Sequence, residues 1–108
     1  MDIAAIHTEA TEAAVKASKD ALTKMGGDNG TCGFAWCTIR GVKLNTKVGK
    51  AFAQLEFTKG SGANAGIELW NPSGHQAHSI DILVAGARAY AEVFRQHGFD
   101  ARTNSRVD

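Results

Sequence analysis

Residues 32–41, Cys-Gly-Phe-Ala-Trp-Cys-Thr-Ile-Arg-Gly, constrain the fold more than any other stretch of this chain. Alternation over the run puts Phe34, Trp36 and Thr38 on one face of a strand and Ala35, Cys37 and Ile39 on the other. Both faces are apolar, so the strand belongs in the middle of a sheet and needs cover on two sides. Helices or a partner chain must supply that cover.

The remaining pattern supplies helices. Residues 2–25 predict a long helix with Asp2 at its N-cap and an alanine-rich stripe through Ile3, Ile6, Ala10, Ala13, Ala17 and Ala21. On its opposite face Glu12 and Lys16 are spaced to pair. Gly26-Gly27 stops the helix and Asp28-Asn29-Gly30 continues as a turn. Residues 46–56 predict a short helix capped by Asn45 or Thr46, with Val48, Phe52 and Leu55 as its inward stripe. Residues 58–66 carry three glycines without periodicity and predict a loop.

A short strand follows at Ile67–Trp70, then a turn at Asn71-Pro72-Ser73-Gly74. Residues 80–97 predict a second long helix, with Ser79 as N-cap, Asp81 in its first turn and Gly98 at its end. Residues 99–105 predict a last strand. The expectation is therefore one α+β domain over 1–108, in the order α-β-α-β-α-β. A three-stranded or slightly larger sheet carries the two long helices on one face. Phe34 and Trp36, or their alternates, lie on the other face, which suits a homodimer.

Charge and cysteine usage narrow the function classes. Lys and Arg number 12 against 11 Asp and Glu, a net charge of +1. That balance excludes a strongly acidic DNA mimic and a strongly basic histone-like protein. The first residues predict no secretory signal, and no apolar run reaches the ~20 residues of a membrane span. Cys32 and Cys37 point to opposite faces of one strand and are expected as free thiols in a cytoplasm.

Candidate chemistry is sparse. His75, His78 and Asp81 have the residue types of a metal site, but two precede a helix and one follows its start, so a polar turn is the expected reading and no metal or cofactor is assigned. Neither cysteine has a base at recognisable spacing, and no nucleophile–base pair is visible, so the chain leans away from an enzyme. Arg40, Lys43, Lys47 and Lys50, joined by Lys59, Arg102 and Arg106, form a candidate phosphate-binding patch, and Trp70 with Asn71 and Ser73 offers a flat ring beside hydrogen-bonding groups.

Five segments, Cys32-Gly33-Phe34-Ala35-Trp36, Asn45 to Lys50, Trp70 to Gly74, Gly86 to Ala91 and Ser105 to Asp108, resemble in order and spacing a family of small uncharacterised proteins of tailed bacteriophages. The resemblance implies an infected bacterial cytoplasm and carries no reaction. By analogy of setting and size it implies a non-enzymatic accessory protein that binds a host protein. The alternative is a binder of nucleic acid or a nucleotide signal, with the lysines on phosphate and Trp70 stacked on a base. In either case the expected contact residues are Trp70, Asn71, Ser73, Lys43, Lys47, Lys50 and Arg106.

Overall fold

A computed structural model of the chain describes residues 2–60 and 66–108. Its elements are α1 (Ile3–Met25), β1 (Gly33–Arg40), α2 (Lys47–Ala53), β2 (Thr58–Lys59), β3 (Ile67–Trp70), α3 (Ile80–Gln96) and β4 (Asp100–Val107). The strands form one antiparallel sheet in the order β2-β3-β1-β4. The α+β class holds, but the order gains a strand and becomes α-β-α-β-β-α-β among the described residues. From β1 onward this is the split β-α-β connectivity, in which each crossover skips over a neighbouring strand. The added strand is β2, in the stretch expected as loop: Thr58 and Lys59 pair with Glu68 and Ile67. Residues 61–65 of that loop lie outside the described residues.

The sheet has one covered and one open face. Ala35, Cys37 and Ile39 of β1 are buried beneath the helices, together with Ile67 of β3 and Ala101 of β4. Helix α3 lies across β1 and β4, and α1 packs along α3 and against α2. Phe52, Phe57, Tyr90, Phe94 and Phe99 interlock in this core with ring centroids 5.0–6.4 Å apart. Burial of each large side chain contributes about 1.5–3 kcal/mol.

The α1–α3 contact is close because its residues are small. Ala10, Ala14 and Ser18 of α1 are buried, so the stripe is rotated from the expected Ala13, Ala17 and Ala21, which are half-buried. Ser18 joins because its hydroxyl donates to the Ile82 carbonyl at 2.9 Å, which satisfies a polar group inside the interface. Opposite it is Gly86, where an added Cβ would stand 2.5 Å from Ser18 Oγ and 2.8 Å from Ser73 Cβ. The glycine is therefore a packing requirement of α1, α3 and the turn after β3.

Caps follow the sequence at two helices. Asp2 accepts from Ala5 N–H at 3.2 Å, and Thr46 accepts from Gly49 N–H at 3.0 Å. Ser79 occupies the N-cap position of α3 without a side-chain cap bond. Its hydroxyl faces Met25 Sδ instead, and its N–H donates to Asp28. Two further expectations are corrected. Val48 is exposed, because α2 is a short helix that turns Gly49 and Phe52 inward and leaves Val48 on its outer side. Lys16 pairs with Asp20 at 2.8 Å, not with Glu12.

Candidate functional site

The open face of the sheet is an aromatic surface assembled from the central strands. Asn71 N–H donates to the Ala35 carbonyl at 2.9 Å, so the odd-numbered residues of β1 carry the ladder bonds to β3. Trp36 and its partner Trp70 are then a non-hydrogen-bonded pair, the geometry that brings cross-strand side chains closest. Their rings stack with centroids 4.5 Å apart and planes 21° from parallel. Phe34, two residues before Trp36, meets Trp70 edge-on at 6.2 Å. Trp70 remains 46% exposed and Phe34 39%, and no described element lies over them.

Polar groups frame this trio. Arg106 faces Phe34 across the β1–β4 ladder and holds its guanidinium 5.5 Å from the ring centroid, a cation–π contact. Asn104, opposite Trp36, donates to Thr38 Oγ1 at 2.8 Å. Farther along the same face Arg102 bonds to Asp100 at 3.0 Å, and Arg40 and Glu68 complete the border. The guanidinium nearest the rings, that of Arg106, forms no ion pair among the described residues.

At one end the face runs into a cleft of about 440 Å³ lined by Cys32, Phe34, Trp70, His75, His78 and Asp108. Its wall is the 71–79 segment, built from its own side chains. Asn71 adopts φ 45° and donates from Nδ2 to the His75 carbonyl at 3.1 Å. Ser73 Oγ donates to Asn71 Oδ1 and accepts from His75 N–H. Farther on, Asp28 accepts from the N–H groups of His78 and Ser79 at 2.9 and 2.8 Å, and these bonds hold its carboxyl below the ordinary carboxylate pKa.

The structure thus divides the expected site residues into three groups. Trp70 and Arg106 share the open face with Phe34 and Trp36. Asn71 and the buried Ser73 spend their polar groups inside the turn, positioning Trp70 at its start. Lys43, Lys47 and Lys50 are exposed at the far end of β1. The six residue steps of β1 from Phe34 to Arg40 span about 20 Å, so those lysines lie at the opposite end of the strand from Phe34. Phe34, Trp36 and Asn104 are the face residues not expected as contacts. Alternation marks Phe34 and Trp36 as sharing a face, but only the register with β4 brings Asn104, and Arg102 of the expected basic patch, beside them.

Among the described residues no group of three or more His, Cys, Asp or Glu side chains could hold a metal ion. Nor is any described helix long and apolar enough to cross a membrane. Cys32 is exposed at the cleft, while burial pushes the Cys37 thiol up to about 12. No family model, no curated protein and no solved structure matches this chain.

Proposed function

We propose that this is a non-enzymatic binding protein whose contact surface is the open sheet face and whose ligand is single-stranded nucleic acid. The observation that carries the reading is the Phe34–Trp36–Trp70 cluster on the two central strands, with Phe34 and Trp70 exposed and Arg106 beside it. Aromatic rings stack on any base through its π-face, and neighbouring guanidinium groups meet the phosphates. RNA-recognition modules stack bases on aromatic residues of a four-stranded sheet in the same manner; this comparison is one of architecture, and function must rest on the site. The near-neutral net charge fits a ligand held by stacking with few phosphate contacts. An infected bacterial cytoplasm as the setting rests on the phage resemblance alone.

A host protein is the second reading, favoured by the same rings, since Trp and Arg are the side chains that anchor protein interfaces. Fluorescence anisotropy with labelled single-stranded oligonucleotides separates the two. Trp70→Ala should weaken binding by about 1–3 kcal/mol, roughly ten- to hundredfold. Affinity should fall with salt at a log–log slope of about −1 to −2, as expected for contacts to two or so phosphates. At about 0.1 M salt the pair Lys47→Glu and Lys50→Glu should leave affinity within about twofold, their helix then being a Debye length or more from the rings. Absence of binding at low salt by the folded protein would remove the nucleic-acid reading. A host protein that co-purifies with the wild type and is lost in Trp70→Ala would then take its place.

A further inference from the structure

The sheet ends on one side in β2, whose two residues offer little to pair with, and on the other in the eight-residue β4. Asp108 N–H donates to the Cys32 carbonyl at 3.1 Å, and β4 continues from there against β1 in unbroken register to Asp100. The even-numbered residues of β4 therefore bond to β1, and the N–H and C=O groups of Ala101, Thr103, Ser105 and Val107 point away from the sheet. The Ala101 carbonyl is taken by Arg95, whose Nη1 donates to it at 2.8 Å. Among the described residues, the outward backbone groups of Thr103, Ser105 and Val107 have no partner. Exposed sheet edges are usually blunted by proline, bulges, shortness or charge. This edge has no proline or bulge and runs eight residues, its charges of both signs (Asp100, Arg102 and Arg106) lie on the open face, and Val107 at its end is 62% exposed.

We propose that β4 pairs with β4 of a second copy of this chain, antiparallel and centred on Ser105. In that register Ser105 faces the partner's Ser105, and Thr103 faces the partner's Val107. Each facing pair exchanges two backbone hydrogen bonds, so the free groups are used and the Ala101 carbonyl stays with Arg95. On the open face Arg102 comes opposite the partner's Asp108, a complementary pair repeated by symmetry. Centring on Asn104 would instead set Arg102 against the partner's Arg106, like charges face to face. Centring on Thr103 would require the Ala101 carbonyl. Hydrogen bonding and charge thus select one register, and the occupant is a strand carrying this same sequence. The two-fold axis stands normal to the sheet, so both aromatic clusters lie on one side of a continuous sheet.

The test is sedimentation velocity of the full chain over a range of micromolar concentrations, with Ser105→Pro as the central variant. Proline removes an N–H that points to solvent in the single chain and into the ladder in the pair. The wild type should sediment as a dimer, and Ser105→Pro should raise the dissociation constant at least about tenfold with an unchanged far-UV spectrum. Arg102→Asp should weaken the dimer, and Arg102→Asp with Asp108→Arg should restore it. In the wild type the amides of Thr103, Ser105 and Val107 should exchange slowly with solvent. A wild type that stays monomeric throughout overturns the proposal. So does a dimer whose Ser105 and Val107 amides exchange freely, which would point to pairing through the aromatic face. Should Ser105→Pro fail to fold, the charge-swap variants and the exchange rates decide the matter alone.

Discussion

Gly86→Ala should destabilise this protein, although the same exchange in a solvent-facing helix position stabilises. Alanine gains about 1 kcal/mol over glycine in a helix interior. Here the new methyl would stand 2.5 Å from Ser18 Oγ and within 3.0 Å of both Ser73 side-chain atoms. Forcing an extra carbon into a close-packed contact costs about 1–3 kcal/mol. Displacing Ser18 Oγ also loses its 2.9 Å bond to the Ile82 carbonyl, a further 0.5–1.5 kcal/mol or so. The balance is a net loss of about 0.5–3.5 kcal/mol, or roughly 2–14 °C in Tm for a chain of this length. Chemical denaturation of Gly86→Ala, Ser18→Ala and the double variant checks the cause. Ser18→Ala removes the nearest obstructing atom, so the double variant should recover about 1 kcal/mol relative to the sum of the singles. A Gly86→Ala protein more stable than wild type, or strict additivity, would refute the close approach of α1, α3 and the 71–74 turn.

Other outcomes follow from buried titratable groups. A disulfide-exchange reagent should modify Cys32 alone in the native protein and reach Cys37 only on unfolding, because Cys37 is fully buried with its thiol pKa pushed up to about 12. Burial holds His7 below its ordinary pKa of 6.5, and its ring Nδ1 lies 2.7 Å from Tyr90 OH, placed to accept from it when neutral. The unfolded chain therefore takes up this proton first. The His7 contribution is complete above about pH 6.5 and is lost as pH falls below it. Urea midpoints at about pH 7.5 and about pH 5.5 should differ more in the wild type than in His7→Gln. An equal difference in both proteins would remove His7 as a source of the pH dependence.

How much was legible depended on whether a feature is local. The long helices, the central strand and the turn at Asn71–Gly74 follow from periodicity, caps and proline, and they lie where the sequence places them. The inward stripe of α1 is ambiguous in the sequence because alanines occupy several faces of that helix, and it is the packing of α3 at Gly86 and Ile82 that takes Ser18 inward. Strand β2 escaped because two residues have no period, and its existence depends on pairing with Glu68 and Ile67. The site divides the same way. Alternation put Phe34 and Trp36 on one face and adjacency drew attention to Trp70. The stack of Trp36 on Trp70 and the placement of Arg106 over Phe34 are matters of register between distant segments. Asn71 and Ser73 looked like ligand groups because a sequence does not show that the turn consumes them. The lysines looked like their neighbours because α2 follows β1 closely in the chain, although it lies at the other end of the strand.

The stacked indoles have an optical consequence. The chain holds two tryptophans, and both lie on the open face with their rings 4.5 Å apart. Its indole emission therefore comes from that face alone, with no background from the core, whose aromatic rings are phenylalanine and tyrosine. At this separation the two chromophores couple, so circular dichroism should carry a paired band that needs both rings and their mutual tilt. A molecule that slides onto Trp70 would change the emission, one that pries the rings apart would abolish the paired band, and one that docks on the helical side would change neither. The protein reports on its own surface without a label.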